Sequence, residues 1–378
     1  MIAYGLAVLA LLVWIYLAFA RGGFWCAAER EGGGVAPAVW PCVVAVIPAR
    51  DEAEGVGETV KSLLLQDYPG PFSIVLVDDE STDGTSDVAL RAAAATGRQD
   101  RLIVVTGAQR PHGWTGKLWA MKQGVDRADA LRPEFLLHTD ADIVYRADVL
   151  SRLVSQAIEE GLALSSLMAK LRCESWPEQA LIPAFIFFFQ MLYPFAWVSD
   201  RQQHIAAAAG GCMLVRRDVL RAAGGVEAIR GSIIDDCALA RILKRKGPIR
   251  LALSERVCSI RAYPKLGEIR HMVVRSAYAQ LRYSPRLLAG TIAGLALVYL
   301  VPVAAAIFGH GATEVCGLLA WMTMALVFQP TLRYYRLTPA WGPLLPVIAL
   351  VYMAFTLDSA YQSWRGRGSL WKGRVQER

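Results

Sequence analysis

The sequence IVLVDDESTDGT, residues 74–85, decides the fold. Its four apolar residues predict a buried β-strand, because three of them are β-branched and a turn bounds them. Asp78 and Asp79 close this strand, and the Asp-Gly-Thr turn predicts the start of a helix from Thr85 to Ala95. The stretch therefore predicts a strand-turn-helix unit with two carboxylates at the carboxyl end of the strand.

The same alternation of strand and helix recurs on both sides of this unit. Further apolar strands are predicted at residues 43–47, 102–105 and 135–138, and each is followed by a segment with helical periodicity. Repeated units with continuously apolar strands are typical of an α/β fold, with a mostly parallel sheet flanked by helices on both faces.

Acidic residues gather where the predicted strands end. They are Asp51 and Glu52, Asp78 and Asp79, and Asp140 and Asp142. Ligands of open α/β sheets bind at the carboxyl ends of the strands, so we expect these acids to converge on one crevice. Each acid alone is compatible with a solvated turn, but together their charges must be compensated by a cation or by hydrogen-bond donors. A Mg²⁺ or Mn²⁺ ion that also binds a diphosphate is a suitable cation.

Apolar runs lie on both sides of the predicted domain, at residues 3–20, 287–308, 315–328 and 341–361. The first approaches the ~20 residues that a helix needs to cross a bilayer. It predicts an N-terminal transmembrane anchor at 1–21, and the others predict a C-terminal transmembrane region at 285–365 before a basic tail at 366–378. A cleaved signal peptide is disfavoured, because no basic residue precedes the first run.

Basic residues give the expected orientation of the chain. Arg21 and Arg30 follow the first apolar run, which predicts that the domain at 40–284 is cytoplasmic. Simple alternation of spans then places the basic tail outside, against the same rule. One of the C-terminal runs is therefore expected to be re-entrant or interfacial, and Pro343 and Pro346 indicate the last one.

Residues 181–198 form a further apolar stretch, which is rich in aromatic side chains and interrupted by Pro183 and Pro194. Two interpretations stay open for it: a helix lying in the membrane interface, or a buried core helix.

The composition narrows the classes of molecule that the chain is expected to bind. The chain has 378 residues, 54% of them hydrophobic, and a formal net charge of +7. Lysine and arginine gather beside the apolar runs, so anionic lipid is favoured over nucleic acid as their partner. Histidine and cysteine show no spacing typical of zinc ligands.

Three motifs resemble those of family 2 glycosyltransferases of the GT-A fold: VIPARDE at residues 46–52, VDDESTDGT at 77–85 and TDAD at 139–142. More narrowly, four segments are similar to the bacterial hopanoid-associated (hopene-associated) membrane glycosyltransferases: GWTGKLWA at 113–120, LIPAFIFFF at 181–189, AAGGCMLV at 208–215 and IDDCALA at 234–240. The resemblance covers residues 43–283.

The resemblance implies a site for a nucleotide-diphosphate sugar, expected to be a UDP-sugar. The donor-binding positions it implies are Pro48, Ala49, Arg50, Glu52, Asp78, Asp79, Lys117 and Asp140. It places Lys117 near the diphosphate. It also makes Asp142 the direct ligand of Mg²⁺ or Mn²⁺, with Asp140 facing the ribose or a metal-bound water.

The resemblance also implies the catalytic and acceptor residues. Asp235 and Asp236 match a Glu-Asp pair whose second acid is the catalytic base, and the first acid is Asp here. Gly210 and Gly211 match acceptor-side glycines. Arg282 and Tyr283 stand in the Arg-Trp slot of an acceptor motif that is otherwise not kept, which favours transfer of a single sugar.

These expectations amount to a metal-dependent inverting glycosyltransferase that moves one sugar to a lipid, a hopanoid by the resemblance. The expected location is the bacterial inner membrane, with several spans and a cytoplasmic catalytic domain. Transfer to polyprenyl phosphate is the enzymatic alternative. A membrane protein that binds a nucleotide sugar without catalysis is the other.

Overall fold

The computed structural model describes residues 1–366 and the backbone of residues 370–371 and 374–375. Most of the predicted basic tail, including Arg367 and Lys372, lies outside the described residues. The described chain forms two compact units. We call them the sheet unit, Glu29–Arg172 with Trp197–Ala262, and the helical unit, Met1–Ala28 with Cys173–Ala196 and residues 263–366.

The two units do not follow the predicted domain boundaries. Residues 173–196 and 263–284 fall within the sequence range 40–284, yet they belong to the helical unit. The chain begins in the helical unit and returns to it twice from the sheet unit, after Arg172 and after Ala262.

The strands are β1 (Val43–Ala49), β2 (Phe72–Asp78), β3 (Leu102–Thr106), β4 (Phe135–His138), β5 (Ile143–Tyr145), β6 (Leu164–Lys170), β7 (Met213–Arg216), β8 (Ile249–Ser259), β9 (Leu370–Trp371) and β10 (Arg374–Val375). The α-helices are α1 (Ile2–Phe19), α2 (Val56–Leu64), α3 (Thr85–Ala95), α4 (Gly116–Asp129), α5 (Val149–Glu159), α6 (Trp176–Leu192), α7 (Phe195–Ser199), α8 (Arg217–Ala222), α9 (Asp235–Lys244), α10 (Leu266–Gln280), α11 (Pro285–Leu295), α12 (Val301–Phe308), α13 (Ala312–Val327), α14 (Gln329–Tyr334) and α15 (Leu345–Trp364).

The sheet unit is built on eight strands in the order β3-β2-β1-β4-β7-β6-β8-β5. The first four pair in parallel, as the sequence predicts, whereas β7 is antiparallel to both β4 and β6. Strand β5 follows β4 after only residues 139–142, too short a connection for a parallel crossover, and it pairs antiparallel to β8. The predicted α/β fold is confirmed, and the sheet is mixed.

Strand β1 runs two residues beyond the predicted end, through Pro48 to Ala49. Its pairing with β4 ends at Val46, so only the β2 side of β1 is still paired at Pro48. The proline, which has no N–H to donate, is tolerated because one side of the strand needs no ladder bond there.

Gly124 of α4 packs directly on strands β1 and β2. A Cβ atom at this position would lie 2.4 Å from Val46 Cγ1 and 3.1 Å from Val77 Cγ2, and both valines are fully buried. We expect Gly124→Ala to destabilise the protein by about 1–3 kcal/mol, because overpacking outweighs the gain in helix propensity. Thermal unfolding of the purified protein in detergent measures this change.

Gly267 of α10 provides the matched control, since a Cβ there meets nothing within 4 Å. Gly267→Ala should leave the unfolding midpoint unchanged or raise it. An equal midpoint for the two variants would contradict the packing argument.

Four helical segments of the described chain are long and apolar enough to cross a membrane: Ile2–Phe19, Pro285–Phe308, Ala312–Tyr334 and Leu345–Trp364. The third of these is longer than the predicted run at 315–328, because α14 continues α13. Trp14 of α1 donates a hydrogen bond of 2.7 Å to the Val298 carbonyl, which lies in the π-helical turn that joins α11 and α12.

The prolines that suggested a re-entrant segment do not interrupt the last helix. Pro343 precedes α15 and Pro346 lies in its first turn, where no helical partner for the missing N–H is lost. Helix α15 then runs unbroken for 20 residues. Its Asp358 forms an ion pair of 2.6 Å with Arg270 of α10.

The aromatic-rich stretch folds as α6, followed by the short α7. Ser175 and Glu178 cap the start of α6 reciprocally, and Pro183 lies inside the helix without ending it. Phe187 is fully buried and its ring packs 5.1 Å from that of Phe328. Within the helical unit, α6 is therefore a core helix.

Candidate active site

The loops that follow β1 and β2 are tied together by Arg50 and Asp79. The Arg50 guanidinium donates to the Asp79 carbonyl and lies 3.6 Å from its carboxylate oxygen Oδ2. The Asp79 N–H donates to the Ala49 carbonyl at 2.8 Å, and Asp79 is fully buried. The predicted donor positions Ala49, Arg50 and Asp79 therefore lie together at the carboxyl edge of the sheet.

Two of the predicted acids hold turns. The Asp78 carboxylate accepts hydrogen bonds from the Ser81 N–H at 2.9 Å and from the Ser86 hydroxyl, and the Asp51 carboxylate accepts from the Thr82 N–H at 2.9 Å. These contacts fix the loop between β2 and α3. The donor-binding role of Asp78 stays a prediction.

Lys117, near the start of α4, lies between two acidic segments. Its Nζ is 2.8 Å from Asp140 Oδ1 and 3.1 Å from Asp235 Oδ2. Burial lowers the pKa of the Lys117 ammonium, but the carboxylates of Asp140 and Asp235 outweigh this effect and the pKa is raised. Lys117 therefore stays charged and joins the Asp-x-Asp motif to the start of α9.

Asp142, the other acid of the motif, binds a residue that the sequence did not single out. Arg261 Nε donates to Asp142 Oδ2 at 2.7 Å, and Arg261 Nη2 donates to the two carboxylate oxygens of Glu52 at 2.8 and 2.7 Å. Arg261 therefore brings Glu52 and Asp142 together across one guanidinium.

Asp140 and Asp142 supply the oxygen ligands that Mg²⁺ and Mn²⁺ prefer. Each carboxylate already binds a cationic side chain, Lys117 or Arg261, so the pair attracts positive charge. Among the residues that the structure describes, no three His, Cys, Asp or Glu side chains are arranged to hold a metal ion. The donor set fits a divalent ion that competes with these side chains for the carboxylates.

Asp236 occupies the first turn of α9 and accepts two backbone hydrogen bonds. The Gly210 N–H donates to Oδ2 at 3.0 Å and the Cys237 N–H donates to Oδ1 at 2.6 Å. Burial, together with the neighbouring Asp235 carboxylate, raises the pKa of Asp236 to about 6, although Lys117 and the two N–H groups oppose the shift. A carboxylate with this pKa is ionised at neutral pH and can accept a proton.

Gly210, the first of the two predicted acceptor-side glycines, lies beside this acid. A Cβ atom on Gly210 would come within 3.4 Å of Lys117 Nζ and 3.6 Å of Asp236 Oδ2. The Gly211 carbonyl accepts hydrogen bonds from the Thr139 and Tyr145 hydroxyls, both at 2.9 Å. Gly210 thus leaves open the space in front of Lys117 and Asp236.

His138, the last residue of β4, lies beneath the same cluster. Its side chain is 1% exposed, and Nε2 has no hydrogen-bond partner among the described residues. Burial lowers the pKa of His138 to about 4, with Asp235 opposing this shift and Lys117 adding to it. The imidazole is therefore neutral at pH 7.

Arg282 and Tyr283 belong to the helical unit, where they follow α10. Both have left-handed backbone conformations, with φ of 51° and 56°. The Tyr283 ring packs at 5.5 Å on Tyr278. Their predicted role in acceptor binding stays a prediction.

Comparison with known proteins agrees with the fold and with the sheet-unit motifs. Residues 44–224 match the family model Glycosyl transferase family 2. An N-acetylglucosaminyltransferase of Azorhizobium caulinodans is 30% identical over 191 residues, covering 48% of this chain and 43% of the relative. A 4,4'-diaponeurosporenoate glycosyltransferase of Staphylococcus aureus is 34% identical over 112 residues, covering 29% of this chain and 27% of the relative.

A mannosyltransferase of Pyrobaculum calidifontis, solved in complex with GDP-Man and Mn²⁺, has a similar fold. The match has a TM-score of 0.54 and 19% sequence identity, and it covers 95% of this chain and 99% of that one. It confirms the predicted GT-A fold. The chain spans less than half the length of the curated relatives named above.

Proposed function

We propose that this chain, whose residues 44–224 match the glycosyltransferase family 2 model, is a metal-dependent inverting glycosyltransferase that moves one sugar from a nucleotide-diphosphate sugar to a lipid. The observation that carries this proposal is the Lys117 bridge. One ammonium contacts Asp140 of the Asp-x-Asp motif and Asp235, the neighbour of the proposed base Asp236. A donor phosphate and an acceptor hydroxyl held at these two ends would lie close to each other.

The four apolar helices support a lipid acceptor and a multi-pass location in the bacterial inner membrane. Arg21 and Arg30 follow the first of them and favour a cytoplasmic catalytic domain. We propose a hopanoid as the lipid and a UDP-sugar as the donor, both from the resemblance of the sequence motifs.

In the proposed reaction, the Asp236 carboxylate takes the proton of the acceptor hydroxyl. As this proton is transferred, the hydroxyl oxygen attacks the anomeric carbon and the bond from that carbon to the nucleoside diphosphate breaks. Oδ2 of Asp236 accepts a hydrogen bond from the Gly210 N–H, which orients the acid beside the open space at that glycine. Attack from the face opposite the leaving group inverts the anomeric centre.

Lys117 gives the departing diphosphate a fixed positive charge close to the place where negative charge develops. Asp140 and Asp142 would hold a Mg²⁺ or Mn²⁺ ion, which would add Lewis-acid stabilisation of the same charge. Arg50 keeps the neighbouring loop in place through its contacts with Asp79.

The test is glycolipid formation by the purified chain in detergent, followed by mass spectrometry. A panel of UDP- and GDP-sugars is offered with a hopanoid polyol, and with polyprenyl phosphate in parallel. We expect product with one UDP-sugar and the polyol, a loss of about tenfold or more on chelation, and recovery with Mg²⁺ or Mn²⁺.

Product with polyprenyl phosphate alone would replace the acceptor and keep the reaction class. Full turnover in the presence of chelator would contradict metal dependence. No product with any donor and acceptor, from protein whose unfolding is still cooperative, would favour a nucleotide-sugar-binding protein without catalysis.

A further inference from the structure

Arg261 is placed by the strand that precedes it and by the turn that it contacts. It lies two residues beyond the end of β8, and the N–H of its neighbour Ile260 donates to the Asp142 carbonyl at 2.9 Å. Backbone pairing therefore holds the start of this side chain against the Asp-x-Asp turn. The side chain reaches the carboxylates from a fixed position.

The guanidinium joins acids that come from two different strand ends. Glu52 follows β1 and Asp142 follows β4, and their side chains are only 15% and 14% exposed. Partial burial strengthens both ion pairs relative to surface pairs, although Arg261 itself is 34% exposed and its contacts are partly screened. A planar guanidinium suits this arrangement, because it offers several N–H donors in fixed directions.

The contacts to Asp142 converge on one oxygen. Arg261 Nε donates to Oδ2 at 2.7 Å, and the Ser259 hydroxyl donates to the same atom at 3.4 Å. A divalent cation bound through Asp142 would meet the guanidinium charge at close range. The two cations therefore compete for this carboxylate.

We propose that Arg261 is a positioning residue that acts as an internal counter-ion. It holds Glu52 and Asp142 together before the donor binds, and it weakens the binding of a divalent cation at Asp142 in the absence of a diphosphate. The donor diphosphate brings enough negative charge to hold both cations. The inference rests on the proposed use of a metal, and it assigns a role to a residue outside the sequence motifs.

The experiment titrates Mn²⁺ alone into the purified full-length protein in detergent and follows free Mn²⁺ by electron paramagnetic resonance. We expect Arg261→Gln to bind Mn²⁺ about tenfold more tightly than the unchanged protein, since a neighbouring positive charge is removed. Arg261→Lys keeps the charge but cannot bridge both acids as a guanidinium does, so its affinity should fall between the two. Combining Arg261→Gln with Asp142→Asn should abolish the gain.

Arg256→Gln is the matched control. Arg256 lies in the same strand β8, is also 34% exposed and pairs with Asp148 at 2.8 Å. We expect its Mn²⁺ affinity to equal that of the unchanged protein.

Equal Mn²⁺ affinities for the unchanged protein and a folded Arg261 variant, either Gln or Lys, would overturn the inference. A gain that persists in the double variant would overturn it as well, since the ion would then bind elsewhere. Failure of the proposed function has a separate signature, which is the absence of glycolipid product in the transfer assay.

Discussion

Asp236→Asn is expected to lower kcat about 10³-fold, within the 10²–10⁴-fold range typical of general bases. The amide is nearly isosteric with the carboxylate but cannot take a proton from an acceptor hydroxyl. Donor binding should persist, because Lys117 and Asp140, the residues proposed to bind the donor, stay in place. Initial rates of glycolipid formation and a separate titration with the nucleotide measure the two effects.

The pH dependence of the unchanged protein tests the same assignment. Because the pKa of Asp236 is raised to about 6, kcat/KM should fall about tenfold per pH unit below that value and reach a plateau above it. The folded state binds this proton more tightly than the unfolded state does. Protonated Asp236 therefore adds to the free energy of unfolding at low pH, and this contribution is lost as pH rises towards 6. The free energy of unfolding of Asp236→Asn should not show this decrease.

Asp129→Asn serves as the control for the substitution. Asp129 is also partly buried, but it pairs with Arg217 and Arg221 rather than with the residues of the candidate site. The rate of Asp129→Asn should stay within about twofold of that of the unchanged protein, as expected for a substitution outside the candidate active site. Equal rates for Asp236→Asn and the unchanged protein would reject Asp236 as the base and favour an acceptor that is already an anion.

The sheet was predictable from the sequence where strands are buried on both faces. Strand β4 at Phe135–His138 and helix α3 at Thr85–Ala95 have the predicted bounds, because continuous apolar runs and a turn signal mark their ends. The three-residue strand β5 carries no such pattern. Its pairing with β8 depends on a segment more than a hundred residues away in the sequence, which periodicity does not report.

The sequence predicted where the acids of the candidate site lie, but it did not predict that Arg261 pairs with them. The motifs placed Glu52 and Asp142 at strand ends, yet Arg261 contacts Glu52 across 209 residues of sequence. An arginine just beyond β8 has no local pattern that separates it from a solvated one. A search for cations near strand ends would have included it, because the acids there need compensation.

The sequence also left the role of Asp235 open, since the resembling family has glutamate there. The structure pairs Asp235 with Lys117, so the shorter acid still has a cationic partner. The distance between Lys117 and Asp235 depends on how α4 and α9 pack on the sheet, and residue spacing within either helix does not predict it.

Lys117→Met gives the second large effect that we expect. The substitution keeps the unbranched chain of the lysine but removes the charge that joins Asp140 and Asp235. We expect kcat/KM at pH 7 to fall about 10²–10³-fold, which is typical for loss of a preorganised electrostatic contact. Lys117 also lowers the pKa of Asp236, so its removal should move the acid limb of the pH profile to higher pH.

Lys122→Met is a closely matched control. Lys122 lies on the same helix α4, its side chain is 19% exposed against 20% for Lys117, and it pairs with Asp126 and Glu227. Its removal should leave both the rate and the pH profile unchanged. If Lys117→Met lowered the rate without moving the acid limb, Lys117 would act on the donor alone. If neither changed, the bridge would not contribute to transfer, and the observation on which the proposed function depends would be structural only.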